Sequence, residues 1–320
     1  MTLTELVDFA KNKTNFTSID NYITFCLRYL EFAANSLQAV IVSQNENHYR
    51  FYQYKEDGSF NVTRPINTKL MYTPDAAKTI EADFIKTLLA AQEIKADDSQ
   101  SRSLLCNSIY TLQQCIGAAL DALPAGQSNT ARKINGDLFE RLIRLLIQKL
   151  DIDCTTGTIK VPIVVDNVEQ FKMGYQHDLI IKQADELKVI GGVKTSSKDR
   201  IDKVFMDKFL YARLTGTDIP HIAIFLNDVQ RKNTRTPGKY GISATFLPGH
   251  FKGYTIKLNP LDGVYYCDIR PNMLVDPILK VQIRTIDHFF CTDLWDFLAR
   301  EGTHNVEIAG AANGNDGNNE

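Results

Sequence analysis

Residues 175–200 read YQHDLIIKQADELKVIGGVKTSSKDR. Two apolar runs, 179–181 and 187–193, flank a polar break from Gln183 to Glu186. That pattern predicts two antiparallel strands joined by a tight turn. Asp178 stands at the start of the first strand and Lys194 at the end of the second, so the two come close across the ladder. Side chains alternate along a strand, so 190, 192 and 194 share one face and 189, 191 and 193 the other. Position 192, on the face of Lys194, is a glycine beside a second one, Gly191. A glycine bulge in a hairpin is one reading of that pair.

The stretch resembles the PD-(D/E)xK nuclease superfamily, and more closely its type II restriction endonucleases. In that family an Asp on one core strand is followed by an acidic-x-Lys triplet on the next. Asp178 matches the first position and Lys194 the lysine, while Gly192-Val193-Lys194 stands where Glu/Asp-x-Lys is expected. The polar run Thr195 to Arg200 matches the exit from that strand into the next helix. The motif is short and degenerate, and the resemblance covers residues 132–226, less than a third of the chain.

This resemblance implies an α/β (α+β) fold, with a central mixed sheet flanked by helices and a restriction endonuclease-like core. It implies a sequence-specific endonuclease that hydrolyses the phosphodiesters of double-stranded DNA with Mg²⁺, acting as a homodimer; the chain's lack of a secretory layout makes a cytoplasmic protein the default expectation. Asp178 and, from the preceding helix, Glu140 are the implied metal ligands, and Lys194 is the residue beside the attacking water. An ordinary surface glutamate paired with Arg144 at i+4 is the other reading of Glu140. Gly192 offers no carboxylate, so the resemblance also implies a catalytically impaired form. The alternatives are a non-catalytic DNA-binding protein of the same fold, a repair or recombination nuclease, or an unrelated α/β protein. DNA contacts are expected from Ser196, Ser197, Lys198, Arg200 and Lys203. More are expected from a basic loop at 227–240 carrying Arg231, Lys232, Asn233, Arg235 and Lys239. A solvated loop is the alternative there.

Elsewhere the chain reads as ordinary globular sequence. It has 320 residues, 44% hydrophobic and 23% charged, with a formal net charge of −2. Nucleic-acid binding must then rest on a local basic surface rather than on the total. No apolar run approaches membrane-spanning length, and the N-terminus lacks a secretory layout. None of the six cysteines forms a CxxC pair, which predicts free buried thiols. Helices are expected over 4–40 with a break near 14–18, 75–95, 104–123, 134–150, 199–214 and 288–300, the last capped by Asp287. Strands are expected at 48–55, 60–63, 158–165, 221–226, 242–247, 254–258 and 264–269, with loops at 95–103 and 166–174. The Pro124 to Asn129 stretch marks a boundary. It separates a mostly helical N-terminal subdomain (1–125) from the nuclease-like core (126–300), and 301–320 is expected to be a disordered tail.

Overall fold

Gln183 and Glu186 are joined by a two-residue turn in which Ala184 and Asp185 both have positive φ, 50° and 63°. Asp166 and Asn167 make a second such turn, at 51° and 62°. Paired left-handed residues match the twist of antiparallel strands, which makes both turns tight hairpin connections. The computed structural model describes residues 1–56, 59–197, 200–303 and 307–310.

The chain opens with α1 (Leu3–Lys11) and α2 (Ile19–Ser36), the latter capped by Ser18 with Asn21 closing the box. A small antiparallel sheet follows: β1 (Ala39–Val42), β2 (Tyr49–Glu56), β3 (Ser59–Val62) and β4 (Ile66–Asn67). A π-helical turn at Ile80–Phe84 leads into α3 (Ile85–Leu89), then α4 (Ser99–Leu120) and α5 (Ser128–Lys149). The centre is built by β5 (Asp153–Val165), β6 (Val168–Gln183), β7 (Glu186–Ser196), α6 (Ile201–Thr215) and β8 (His221–Asn227). Then come the β9 (Val229–Asn233) and β10 (Tyr240–Ala244) hairpin, α7 (Pro248–Lys257) and β11 (Gly263–Asp268). The chain closes through α8 (Pro271–Val275), α9 (Leu279–Gln282), β12 (Ile283–Thr285), α10 (Ile286–His288), α11 (Leu294–Ala299) and β13 (Glu307–Gly310).

The main sheet runs β12-β11-β8-β7-β6-β5-β13. β7, β8, β11 and β12 are parallel, and β6, β5 and β13 join antiparallel. The β7–α6–β8 crossover is what parallel neighbours require. One face packs Leu179, Ile181, Val189 and Val193 against α4 and α5. The other packs Ile180 and Ile190 with Tyr211 of α6, and Phe225 with Phe251 of α7. Layers on both faces explain why β7 and β8 read as near-continuous apolar runs.

Several expectations are corrected. Residues 166–174 are not a loop but the turn and first half of β6, because Val168 and Phe171 pair with Val165 and Ile163. Residues 227–240 are not a free loop either. β9 and β10 pair through Arg231–Ile242 and Asn233–Tyr240. Residues 254–258 are helical, within α7, where Phe251 is buried with Tyr254 and Leu258 packed beside it. Asp287 does not cap the last helices. It lies inside α10, and the capping position is Thr285. Glu307–Gly310, expected to be patternless, adds as β13 to β5. Strand addition draws on backbone hydrogen bonds and needs no apolar pattern. Residues 311–320 of the expected tail lie outside the described residues. The six cysteines are free and buried. Among the described residues no helix is long and apolar enough to cross a membrane.

Candidate active site

The β5–β6 register slips where Asp178 sits. Thr155 faces Ile180 and Gly157 faces His177, so Asp178 and Leu179 together stand opposite Thr156. The extra residue is a β-bulge, a device that re-aims side chains. It reverses the alternation, placing Tyr175 and Ile180 on the α6 face and Leu179 and Ile181 on the α5 face. The β6–β7 ladder ends one step before, at Leu179–Gly191. There the Asp178 Oδ2 accepts a hydrogen bond from the Val193 N–H at 2.9 Å, taking over a donor of β7.

Lys194 bridges two carboxylates. Its Nζ is 2.6 Å from Asp178 Oδ2 and donates to Glu140 Oε1 at 2.7 Å. Glu140 reaches this point because α5 buries Leu138, Phe139, Leu142 and Ile143, which turns position 140 to the rim of the sheet. The surface pairing with Arg144 is therefore not what holds Glu140. Burial, then the charge of Asp178, pushes the Glu140 carboxyl up to about 7 against the attraction of Lys194. Burial works against the Lys194 charge, but the Asp178 and Glu140 carboxylates outweigh it and hold its pKa above the ordinary lysine value.

A cavity of about 300 Å³ opens at this point, lined by Glu140, Asp178, Gly192 and Lys194 with Arg200, Lys203, Val204 and Asp207 of α6 and its approach. Asp207 is the carboxylate that the sequence reading passed over. Its carboxyl is raised, by burial first and in part by the charge of Asp178, while Lys203 donates to its Oδ2 and lowers it. The sequence signal was present but weak: Asp207 follows Val204 by three positions on one helix flank, yet Lys203–Asp207 also reads as an ordinary i,i+4 surface pair. A larger cavity, about 370 Å³, lies at the other end of the parallel strands, but its buried Lys208 is already paired with Asp262 at 2.7 Å.

The remaining expected site residues separate. Arg200 and Lys203 are exposed at the cavity. The Ser196 and Ser197 hydroxyls both lie 3.3 Å from Thr245 Oγ1, and Ser197 is buried. Lys198 lies outside the described residues. Arg231 donates to the Val62 carbonyl and stacks over Tyr240, whereas Lys232, Asn233, Arg235 and Lys239 are exposed on the β9–β10 hairpin.

No known family model matches the sequence, and no curated protein matches it. The crystal structure of the type IIP restriction endonuclease Kpn2I is similar, with a TM-score of 0.66 at 18% identity, over 94% of this chain and 99% of that one. A restriction endonuclease PspGI–substrate DNA complex matches at a TM-score of 0.39 and 14% identity, over 69% of this chain and 90% of that one. With the mixed sheet, its flanking helices and the order of elements around Asp178 and Lys194, the chain has a restriction-endonuclease-like architecture.

Proposed function

We propose that the chain is a Mg²⁺-dependent endonuclease acting on double-stranded DNA at a specific sequence, in the manner of a type II restriction enzyme. The observation that carries this is the meeting of Asp178, Glu140 and Lys194 in one cavity, with Asp207 on its α6 wall. Among the described residues no three Asp, Glu, His or Cys side chains stand close enough together to hold a metal as they are. The donor set nevertheless fits a hard cation. Asp178 and Glu140 already share one positive charge, the Lys194 ammonium, and burial, with the Asp178 charge second, raises the Glu140 carboxyl. Mg²⁺ keeps several waters and needs one or two protein carboxylates. Asp178 and Glu140 would hold it, with Asp207 as a further acidic group in the cavity and Asp137 at its edge held by Lys13. When bound, the ion polarises the phosphate and lowers the pKa of its water.

The chain's own residues account for the rest. The Lys194 ammonium sits against both carboxylates, where it neutralises charge developing on a phosphate oxygen. Arg200 and Lys203, exposed at the cavity mouth, supply phosphate contacts that fix the strand. Asp207 supplies from a helix the acid that Gly192 does not supply from the strand, so Gly192 alone does not imply an impaired enzyme.

A non-catalytic DNA-binding protein of this fold is the second reading. It is favoured by the lysines that already hold these carboxylates, Lys194 on Asp178 and Glu140 and Lys203 on Asp207. The test is cleavage of a mixed-sequence duplex with Mg²⁺ by the native chain, Asp178→Ala and Asp207→Ala. The native chain is expected to cut, and each variant to lose at least about a hundredfold in rate while still binding duplex. Native binding without cutting leaves the second reading. Cutting that survives Asp207→Ala removes Asp207 from the site.

A further inference from the structure

The turn between β1 and β2 reads Ser43-Gln44-Asn45-Glu46-Asn47-His48, polar throughout. The Ser43 N–H donates to the Tyr49 carbonyl at 2.9 Å and the Tyr49 N–H to the Glu46 carbonyl at 3.0 Å, which closes the turn. The Gln44 N–H donates to the Tyr240 carbonyl at 3.0 Å. The Asn45 amide accepts from the Ile242 N–H and donates to the Ile242 carbonyl, both at 2.9 Å. Those bonds join the turn to β10. A Cβ on Gly241 would stand 3.0 Å from Asn45 Oδ1, so the glycine is what permits this approach. Glu46 holds Arg270 at 2.5 Å, which fixes the turn on a second side.

The turn stands at the end of the sheet that carries Lys194. Ser196, Asn227 and Asp268 lie side by side at the C-terminal ends of β7, β8 and β11. Neighbouring strands are about 4.8 Å apart, so Asp268 stands roughly 10 Å across from β7. Tyr49, which follows the turn, donates to Asp268 Oδ2 at 2.9 Å. A duplex rises about 3.4 Å per base pair, so one whose phosphate lies at Lys194 passes the turn within a few base pairs. Held in this way, Gln44 and Asn47 are exposed, and their side-chain amides have no partner among the described residues. Neutral amides add little to phosphate binding, which draws on Lys and Arg. On a rigid backbone they suit a base edge, because an Asn or Gln amide pairs with both N6 and N7 of adenine. Two exposed cations stand nearby for phosphates: Lys239, next to Tyr240, and Lys69, whose charge His48 feels.

We infer that this turn is a base-reading element, with Gln44 and Asn47 each taking an adenine edge in the major groove of the bound duplex. The inference rests on the proposed action on double-stranded DNA and adds which residues choose the sequence. The two side chains between the readers, Asn45 and Glu46, are occupied in holding the turn to β10 and to Arg270. The backbone under the readers therefore needs no ordering when the duplex arrives, which spares binding that cost.

The test reads binding and needs no cleavage. Duplexes are selected from a random pool, with Ca²⁺ in place of Mg²⁺, by the native chain, Gln44→Ala, Asn47→Ala and the exposed-amide control Gln92→Ala. The native chain and the control are expected to enrich one motif that contains A·T pairs. Each turn variant is expected to lose discrimination at one of those pairs by about tenfold to a hundredfold, the worth of one bidentate contact. Melting temperature, affinity for random duplex and its salt slope should stay native, because only a neutral exposed amide is removed. With 7-deazaadenine at that pair, which lacks the N7 acceptor, native binding is expected to fall towards the variant's level while the variant's binding does not change. An unchanged motif in both variants overturns the inference and leaves the endonuclease reading standing. Equal weakening on every sequence also overturns it, since that marks a phosphate or structural contact. A native chain that enriches no sequence overturns the sequence-specific reading itself, and the inference with it.

Discussion

A Cβ built on Gly192 stands 3.3 Å from Val204 Cγ2 and 3.8 Å from Asp178 Oδ2. The first distance is tighter than ordinary contact, so the bare Cα is what lets α6 lie this close to β7. Closeness of α6 is in turn what brings Asp207 to the cavity. On the sequence alone, Gly192→Glu looks like a restoration of a lost ligand at little cost. With α6 in place it instead pushes Val204 outward and sets another carboxylate beside Asp178 and Glu140. The expected outcome is a variant destabilised by about 1–3 kcal/mol in denaturant unfolding, the usual range for overpacking, and no faster at cutting than the native chain. A stable, faster variant would show that α6 yields. Asp178 and Lys194 were legible because strand alternation and a polar break place them with no knowledge of the rest of the fold. The bulge at Asp178 and Leu179 was not, because it is set by pairing with Thr156, which belongs to a different strand. Asp207 was hidden for a similar reason: its place in the cavity depends on which helix flank faces the sheet.

At the scale of elements, α7 shows how two periods can coexist in one stretch. Tyr254, Ile256 and Leu258 alternate as a strand would, and Phe251, Tyr254 and Leu258 recur as a helix would. Burial of Phe251 against Phe205 decides for the helix, and Ile256 is left 60% exposed. The β9–β10 hairpin was misread in the opposite sense. Its positions 230–233 are polar because that half of the hairpin faces solvent, while Val229 and Ile242 pack on Tyr49 and Phe51 of β2. The hairpin is thus held at its base and presents Lys232, Arg235 and Lys239 at its outer half, whereas Arg231 is occupied at Val62 and Tyr240. Replacing Lys232, Arg235 and Lys239 together by Ala is expected to weaken duplex binding and flatten the slope of log affinity against log salt by about 0.9 for each lost phosphate contact. Arg231→Ala should change the melting temperature more than the salt slope. A triple variant with native affinity and native slope would remove the hairpin from the DNA interface.

At the scale of the whole molecule, buried ionisable groups make stability depend on pH in opposing ways. Burial, then Lys208, holds the His221 pKa down at about 4, against the Ile219 carbonyl and Asp218, which raise it. The unfolded chain takes up that proton near 6.5. This histidine's contribution is therefore complete above 6.5 and is lost as the pH falls through about 4. Asp228 acts the other way: burial raises it to about 7, so its contribution is present in acid and is lost as the pH rises towards 7. Comparing the native chain with His221→Asn isolates the histidine. The variant is expected to lose less melting temperature than the native chain between pH 7 and pH 4.5, and parallel curves for the two proteins would refute the assignment.

One apolar core runs from Leu3 to Leu298, and α4 lies inside it, with residues from Leu105 to Leu120 buried. Its contacts reach far along the chain. Cys106 meets the Cys267 carbonyl 161 positions away, and Arg102 meets Asp287 at a separation of 185. During synthesis α1 and α2 are there to meet α4, but β11 and α10, which also cover it, are made long after it. The residues of the cavity, 137 to 225, are all translated before the main sheet can close. A ribosome-bound chain thus carries the acidic and basic groups of the cavity without the framework that aligns them, and they reach the arrangement described above only after β11 and the last helices have been made.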